Sequence, residues 1–353
     1  MEMGTQLKFD RNQLRFTGIV GTGGIGAGWF FRLNHNHTLG REESRSGRFL
    51  DMDDYCKQHI ILHYTKVLLG PSFVVTPIGR IGDDETGSRL YREMQETGFV
   101  MTHVDKVPGV PTLFSFCFYY PDGTGGNLTT DDSASARVDE AFINRAGEEI
   151  RCLADRGMVL AVPEVPLGSR HRLLELGRKA RLFCAASFTS EEIPRAMETG
   201  ILDLVDLLAI NIDEACSLTG IPTTASDVEK TVLSAREMLG SGNREIMVSV
   251  TAGMRGSWCF DGKTLSHFPA VKNQVKSTAG AGDAFLAGLL CGIALGLELS
   301  DSQQLATLVA GLSVASPHTI HKGINRSSLN EFMVASGMAF REPVLQILQT
   351  SSI

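Results

Sequence analysis

Short apolar runs alternate with amphipathic stretches along most of this chain. The runs Phe73–Pro77, Met158–Val162, Ala180–Ala185, Leu204–Ile210 and Ile246–Val250 have the length of strands. Between or before them, Asp84–Thr97, Asp139–Ala154, Arg170–Lys179 and Ser226–Leu239 place apolar residues at helical spacing. Strands alternating with helices predict an α/β fold with a mainly parallel sheet covered on both faces. In such a sheet a ligand sits beyond the carboxyl ends of the strands, so the residues that follow each apolar run carry the most information.

Two segments depart from this rhythm. Thr112–Tyr120 runs into Pro121-Asp122-Gly123, a turn signal, and predicts β structure outside the main core. Trp258–Phe260 and Leu265–Phe268 flank Asp261-Gly262 and predict a hairpin. No repeat of 20–50 residues is present, which excludes a solenoid.

The 353 residues are 43% apolar and 21% charged, as in a folded globular protein, and 33 Lys+Arg against 40 Asp+Glu give a net charge of −7. That balance offers no general attraction to nucleic acid or anionic lipid and points to a small soluble partner. The first residues show no signal-peptide pattern, and the longest apolar stretch, Phe285–Leu297, is broken by glycines and too short to span a bilayer. A cytoplasmic protein, with no membrane partner, is expected. Seven dispersed cysteines read as buried, reduced thiols rather than a zinc or redox motif.

Two glycine-rich segments are candidates for chemistry. Gly21-Thr22-Gly23-Gly24-Ile25-Gly26 follows the apolar stretch Phe16–Val20 and matches G-x-G-x-x-G in form. A dinucleotide site also needs a helix, a second strand and an acid about 20 residues on. Here the chain enters Asn34–His37 and a charged stretch instead, so a strand-to-loop turn is the plainer reading. A nicotinamide-dependent dehydrogenase remains the reading in which the motif is a true fingerprint. The pair His59 and His63, at i and i+4, lacks a third metal ligand, and Arg41–Arg48 reads as a solvated loop unless one of its arginines reaches an acidic substrate.

The second segment is Ser277-Thr278-Ala279-Gly280-Ala281-Gly282-Asp283-Ala284-Phe285. Small residues admit a close ligand, and the helix that begins here turns its unpaired N–H groups and dipole toward an anion. Asp283, held ionised by that dipole, could accept a proton from a hydroxyl while the amides stabilise a phosphoryl group. Asp283 could equally be a helix cap.

This segment, running on to Leu290, resembles the C-terminal signature of the PfkB (ribokinase-like) carbohydrate kinases. Other motifs resemble the family in order: Gly79-Arg80-Ile81-Gly82-Asp83-Asp84, Asn211-Ile212-Asp213-Glu214 as N-x-x-E, Thr251-Ala252-Gly253-Met254-Arg255-Gly256 as the nucleotide-side turn, and Ser313–Gly323 beside the adenine. The resemblance covers roughly Val20 to Gly323. It implies a ribokinase-like three-layer core with a small β lid: a single domain over 1–340, lid segments near 18–47 and 107–130, and a tail at 341–353.

It further implies an ATP-dependent phosphotransferase acting on an alcohol of a sugar-like acceptor. Asp283 would be the general base, with Gly280, Ala281 and Gly282 as the anion hole. Asn211 and Glu214 would organise Mg²⁺ through water, and Thr251, Gly253 and Gly256 would lie against the nucleotide. The chain departs from the family where sugar hydroxyls are held: no Asp stands near Gly23–Gly28, and Ser46–Ile61 lacks the Gly-Gly followed by Asn. That leaves the acceptor residues unassigned and a non-catalytic, ligand-binding or regulatory relative as the alternative. Ser277 replaces a frequent Asp, which leaves a K⁺ site open. Lid surfaces could also join two chains as a homodimer.

Overall fold

A computed structural model describes residues 6–122, 125–222, 228–240 and 245–349. Among these residues the strands are β1 (Gly18–Thr22), β2 (Gly26–Leu33), β3 (Gly47–Tyr55), β4 (Val74–Gly82), β5 (His103–Val107), β6 (Leu113–Tyr119), β7 (Gly125–Thr129), β8 (Gly157–Ala161), β9 (Phe183–Ala186), β10 (Leu207–Asn211), β11 (Met247–Thr251), β12 (Ser257–Phe260) and β13 (Leu265–Phe268). They form two sheets. The larger runs β13-β12-β11-β10-β9-β8-β1-β4-β5, parallel from β11 to β5 with an antiparallel hairpin at the β13 edge. The smaller runs β3-β2-β6-β7.

β1 and β8, buried along their whole length, pair in register from Gly18↔Gly157 to Thr22↔Ala161. The chain winds outward from this pair in both directions, so the strand order reverses here, and the crevice beyond the two carboxyl ends is where an open α/β sheet binds ligands. Helices cover both faces. One layer, including Lys57–Leu69, Ala281–Ala294 and Leu299–Ser313, packs on Ile19, Val75 and Leu160; the other, including Leu167–Lys179 and Val228–Leu239, packs on Val20, Val159 and Val248. Successive residues of one strand thus serve opposite cores.

The expected helix over Asp139–Ala154 is two short helices, Glu140–Asn144 and Gly147–Leu153. The small sheet draws on 26–33, 47–55, 113–119 and 125–129, while 18–22 lies in the main sheet. Its strand Gly47–Tyr55 hides in the sequence because Arg48, Asp51, Asp53 and Asp54 interrupt the apolar alternation. The segment 342–348, expected as a tail, is a helix with Val344 and Leu348 buried in the main core; residues 350–353, Gly123 of the turn and Ser226 of the last predicted helix lie outside the described residues. Cys56, Cys184, Cys259 and Cys291 are buried as expected, but Cys152 is exposed and Cys117 and Cys216 are half-buried, all of them free thiols. Among the described residues no helix is long and apolar enough to cross a membrane.

Candidate active site

The helix Ala281–Ala294 is apolar and buried from Ala284 to Ala294. Gly288 and Gly292 let Ala306 and Ser302 of the neighbouring helix approach its backbone, where a Cβ would come within 2.5 Å. Such close packing leaves the helix little freedom, and Asp283 rides on its first turn. The turn itself needs glycine at 280: φ is +76°, and a Cβ there would stand 2.8 Å from the Thr319 carbonyl oxygen. Ala281 donates its N–H to the Thr278 carbonyl (3.2 Å) in closing this turn. Ala281 was expected as an anion-hole donor, and its amide is engaged; those of Gly282 and Asp283 make no hydrogen bond among the described residues.

Asp283 faces the cleft, its side chain 15% exposed, with the Lys57 Nζ 3.8 Å from its Oδ1. Burial pushes its carboxyl up from the ordinary range, and the Lys57 ammonium opposes that rise. The sequence suggested the helix dipole alone as the ionising influence; the structure adds a cation from a helix 226 residues away in the chain.

Asp283 lines one of two cavities, and the preceding residue, Gly282, lines the other. One, of about 570 Å³, lies under the small sheet and is lined by Asp54, Ser115, Tyr119, Asn127, Glu164 and Asp283, among others. The other, of about 340 Å³, is mostly apolar and lies between the turn Thr251–Gly256 and Phe285, Ala310 and Val314. In that turn Gly253 and Gly256 have positive φ, and the Ala252 N–H closes onto the Gly256 carbonyl at 2.9 Å. The backbone of Gly253, Gly256 and Gly282 therefore lines the second cavity without side chains in the way, beside Thr251.

Asn211 caps the helix Ile212–Thr219: its Oδ1 accepts the Glu214 N–H (2.9 Å), and Glu214 Oε2 accepts the Asn211 N–H (2.8 Å), a reciprocal capping box. The pair expected to organise Mg²⁺ thus also serves as a helix cap. Both residues also line a small cavity with Lys57 and Asp283, and burial pushes the Glu214 carboxyl up. An amide and a carboxylate are hard oxygen donors of the kind Mg²⁺ takes alongside waters and phosphates. Among the described residues no group of three His, Cys, Asp or Glu could hold an ion, so an all-protein cage is absent. The donor set fits a magnesium held largely by water.

Several sequence candidates are scaffold. Asp84 caps the helix Glu85–Thr97 through the Gly87 N–H (2.7 Å) and accepts both the N–H and hydroxyl of Thr112 at 2.7 Å, tying β4 to the start of β6. His59 is buried against Tyr55, His63 and Phe99, and burial lowers His63 to about 4. Arg45 pairs with Glu43 at 2.5 Å within its own loop. Ser277 accepts the Ala279 N–H and lies 3.4 Å from the Tyr119 hydroxyl. Gly21–Gly26 is no dinucleotide fingerprint, because β1 passes directly into β2 and no helix follows to present its amides.

What that motif does instead is admit Glu164, which sequence reasoning missed. A Cβ on Gly24 would meet the Glu164 side chain at 2.5 Å. Glu164 follows β8 at the strand reversal and holds φ of +77°, a conformation costly for a side-chain-bearing residue and typical of functional sites. Its Oε2 accepts the Lys57 N–H (3.3 Å), and burial raises its carboxyl to about 7. The rule that residues after strands bind ligands pointed to this position. Asp54, bonded to the Ser115 hydroxyl and kept high by burial, and Lys57 and Asn127 gave no comparable signal.

The chain matches, over residues 67–325, the family model described as pfkB family carbohydrate kinase. It is 24% identical over 240 residues to the ribokinase of Lactococcus lactis subsp. lactis (strain IL1403), covering 68% of this chain and 73% of that protein. Its fold is similar to the ribokinase of Cryptococcus neoformans var. grubii serotype A in complex with ADP (TM-score 0.73, 20% identity, 89% of this chain and 99% of that one). It is also similar to Arabidopsis thaliana ribokinase complexed with ribose and ATP (TM-score 0.66, 21% identity, 95% and 100%).

Proposed function

The chain belongs to the pfkB family of carbohydrate kinases, and from that premise we propose that it transfers the γ-phosphoryl group of ATP to an alcohol of a sugar-like small molecule, with Asp283 as general base. The observation that carries this reading is the position of Asp283: in the cleft, beside the amides of Gly282 and its own residue, lining the polar cavity one residue on from Gly282, which lines the apolar one. The nucleotide takes the apolar cavity against Thr251, Gly253 and Gly256, and the acceptor takes the polar one beneath the lid.

In the transfer, the acceptor hydroxyl gives its proton to Asp283 as its oxygen bonds to the γ-phosphorus. The bond from that phosphorus to the β,γ-bridging oxygen breaks, and ADP leaves. The anion hole of the Gly280–Gly282 turn receives charge on the moving oxygens, chiefly through the Gly282 N–H. Asn211 and Glu214 would hold Mg²⁺ through water; when bound, the ion neutralises phosphate charge. Glu164, Asp54 and Asn127 would bind acceptor hydroxyls, and lid closure over β3-β2-β6-β7 would exclude water. A homodimer belongs to the same reading, because the outer lid face exposes Trp29 (60%), Phe49 (58%) and Leu128 (62%). Trp29→Asp should then halve the mass found by light scattering.

A screen of ADP release with ATP·Mg²⁺ across sugars, sugar acids, polyols and nucleosides tests the function. Acceptor-dependent ADP supports it. Nucleotide binding with no turnover on any hydroxyl compound would support the non-catalytic alternative.

A further inference from the structure

Past Glu164 the acceptor cavity opens into a groove of about 840 Å³, between the end of β7 and the loops that follow β8 and β9. The two spaces share Lys57, Asn127 and Glu164. A space of that size suits a drug-sized molecule rather than a single sugar ring, and the transfer reading above gives the groove no occupant.

The lining is one-sided in charge. Five carboxylates border the groove: Asp131, Glu164, Glu191, Glu192 and Glu214. Two are answered within the fold. Glu192 is bonded to the buried guanidinium of Arg170 and accepts the Thr189 N–H at 2.9 Å, and Glu214 accepts the Asn211 N–H of its capping box. Asp131 and Glu191 are exposed and form no ion pair among the described residues. Lys57 is the sole Lys or Arg among the described residues lining either space, and it faces Asp283 at 3.8 Å. A phosphate or carboxylate on an acceptor would meet like charge in this groove, and an ammonium would meet opposite charge.

A second observation is independent of charge. Ser133 lines the same groove, is fully buried, and its Oγ has no hydrogen-bond partner among the described residues. It stands at the cap position of the short helix Ala134–Arg137 yet makes no side-chain capping bond. A buried hydroxyl without a partner is costly and uncommon in a folded protein. A polar group of a bound molecule would supply that partner.

We infer that this groove is a second acceptor subsite, filled by the part of the acceptor beyond the phosphorylated sugar, and that the group it fits is a polar substituent carrying a protonated amine. The inference rests on the phosphotransfer reading above and narrows its acceptor to an aminated glycoside, with sugar acids and sugar phosphates disfavoured. The amine stays protonated throughout and takes no part in the transfer at Asp283.

The test uses three glycosides, in both anomers, of the free sugar that gives the most ADP release: 2-aminoethyl, 2-hydroxyethyl and carboxymethyl. They differ chiefly in the charge of the tail. With wild type at pH 7, the KM of the aminoethyl glycoside of one anomer should lie at least about 10-fold below that of the hydroxyethyl glycoside, as expected for a charged hydrogen bond, with the carboxymethyl glycoside weakest. Rising salt should narrow the gap. The double variant Asp131→Asn, Glu191→Gln should bring the aminoethyl and hydroxyethyl values within about 3-fold and leave turnover of the free sugar unchanged; Glu191→Gln alone should move part of the way. Ser133→Ala should keep the ligand-free melting temperature and raise the KM of the aminoethyl glycoside about 3-fold. Equal KM values for the three tails in both anomers, a preference for the carboxymethyl tail, or an amine preference that survives the double variant would overturn the inference and leave the kinase reading standing. No acceptor-dependent ADP release from any free sugar or glycoside would overturn the kinase reading itself.

Discussion

The two ends of the cleft are built in opposite ways. The end we propose for phosphoryl transfer is local: Gly280, Gly282 and Asp283 are consecutive or nearly so, fixed by one left-handed turn and one buried helix. The end we propose for the acceptor is assembled from segments far apart in the chain: Asp54 and Lys57 where β3 meets its helix, Ser115 and Tyr119 on β6, Asn127 on β7, and Glu164 after β8. The first uses backbone amides and one carboxylate, and the second uses side chains. Changes at the transfer end should therefore act on rate for any acceptor, and changes at the acceptor end on the choice and binding of acceptor.

The largest expected effect is at the transfer end. Asp283→Asn should lower kcat by about 10²–10⁴-fold, the usual contribution of a general base, with the melting temperature little changed; a few-fold loss would break the contrast. At the acceptor end, Glu164→Gln should raise the acceptor KM by about 10-fold, as expected for loss of a charged hydrogen bond, and leave the KM for ATP alone. Equal effects on both KM values would show that the cavities are not separate.

Glu164 also gives the comparison a pH signature. Its carboxyl is raised from the ordinary 4.5 to about 7 by burial, so between those values the folded chain holds a proton that the unfolded chain has released. The folded state is then opposed increasingly as pH rises through that window, and fully above it. Melting curves at pH 5 and pH 8 should show Glu164→Gln gaining on wild type at the higher pH; an unchanged difference would contradict the burial argument. The smallest effect is at the shared edge of the site. Asn211→Ala removes a capping box and should cost about 1 kcal/mol of stability, read in urea unfolding, together with a higher Mg²⁺ requirement for turnover. Loss of stability alone would leave Asn211 a cap and nothing more.

The same contrast explains what was legible in the sequence. Six of the seven parallel strands announce themselves as apolar runs, since both of their faces are buried, whereas the edge strand His103–Val107, with Asp105 and Lys106, does not. The edge hairpin Trp258–Phe268 follows from its Asp-Gly turn, and the transfer end follows because its glycines and acid lie side by side. The lid strand Gly47–Tyr55 was not visible, because one of its faces meets solvent and its inner acid, Asp54, serves the cavity rather than the core. Glu164 was marked only by its place after a strand, and Lys57 not at all: each is an ordinary charged residue until β1 and β8 pair and Gly24 lets Glu164 in. Gly21–Gly26 misdirects because glycine marks a close approach without saying what approaches. Asn211 and Glu214 read as a motif in the sequence and form a capping box in the structure, so the letters alone do not separate a cap from the ligand-binding pair we propose.

The most direct test of the account follows the label from ATP carrying ³²P at the γ position, mixed with Mg²⁺ and an acceptor from the screen, in wild type and Asp283→Asn. The account predicts label on an acceptor hydroxyl with wild type, transfer reduced at least 100-fold with Asp283→Asn, and equal ATP binding by both. Undiminished transfer by Asp283→Asn, or label released by wild type only as inorganic phosphate, would contradict it.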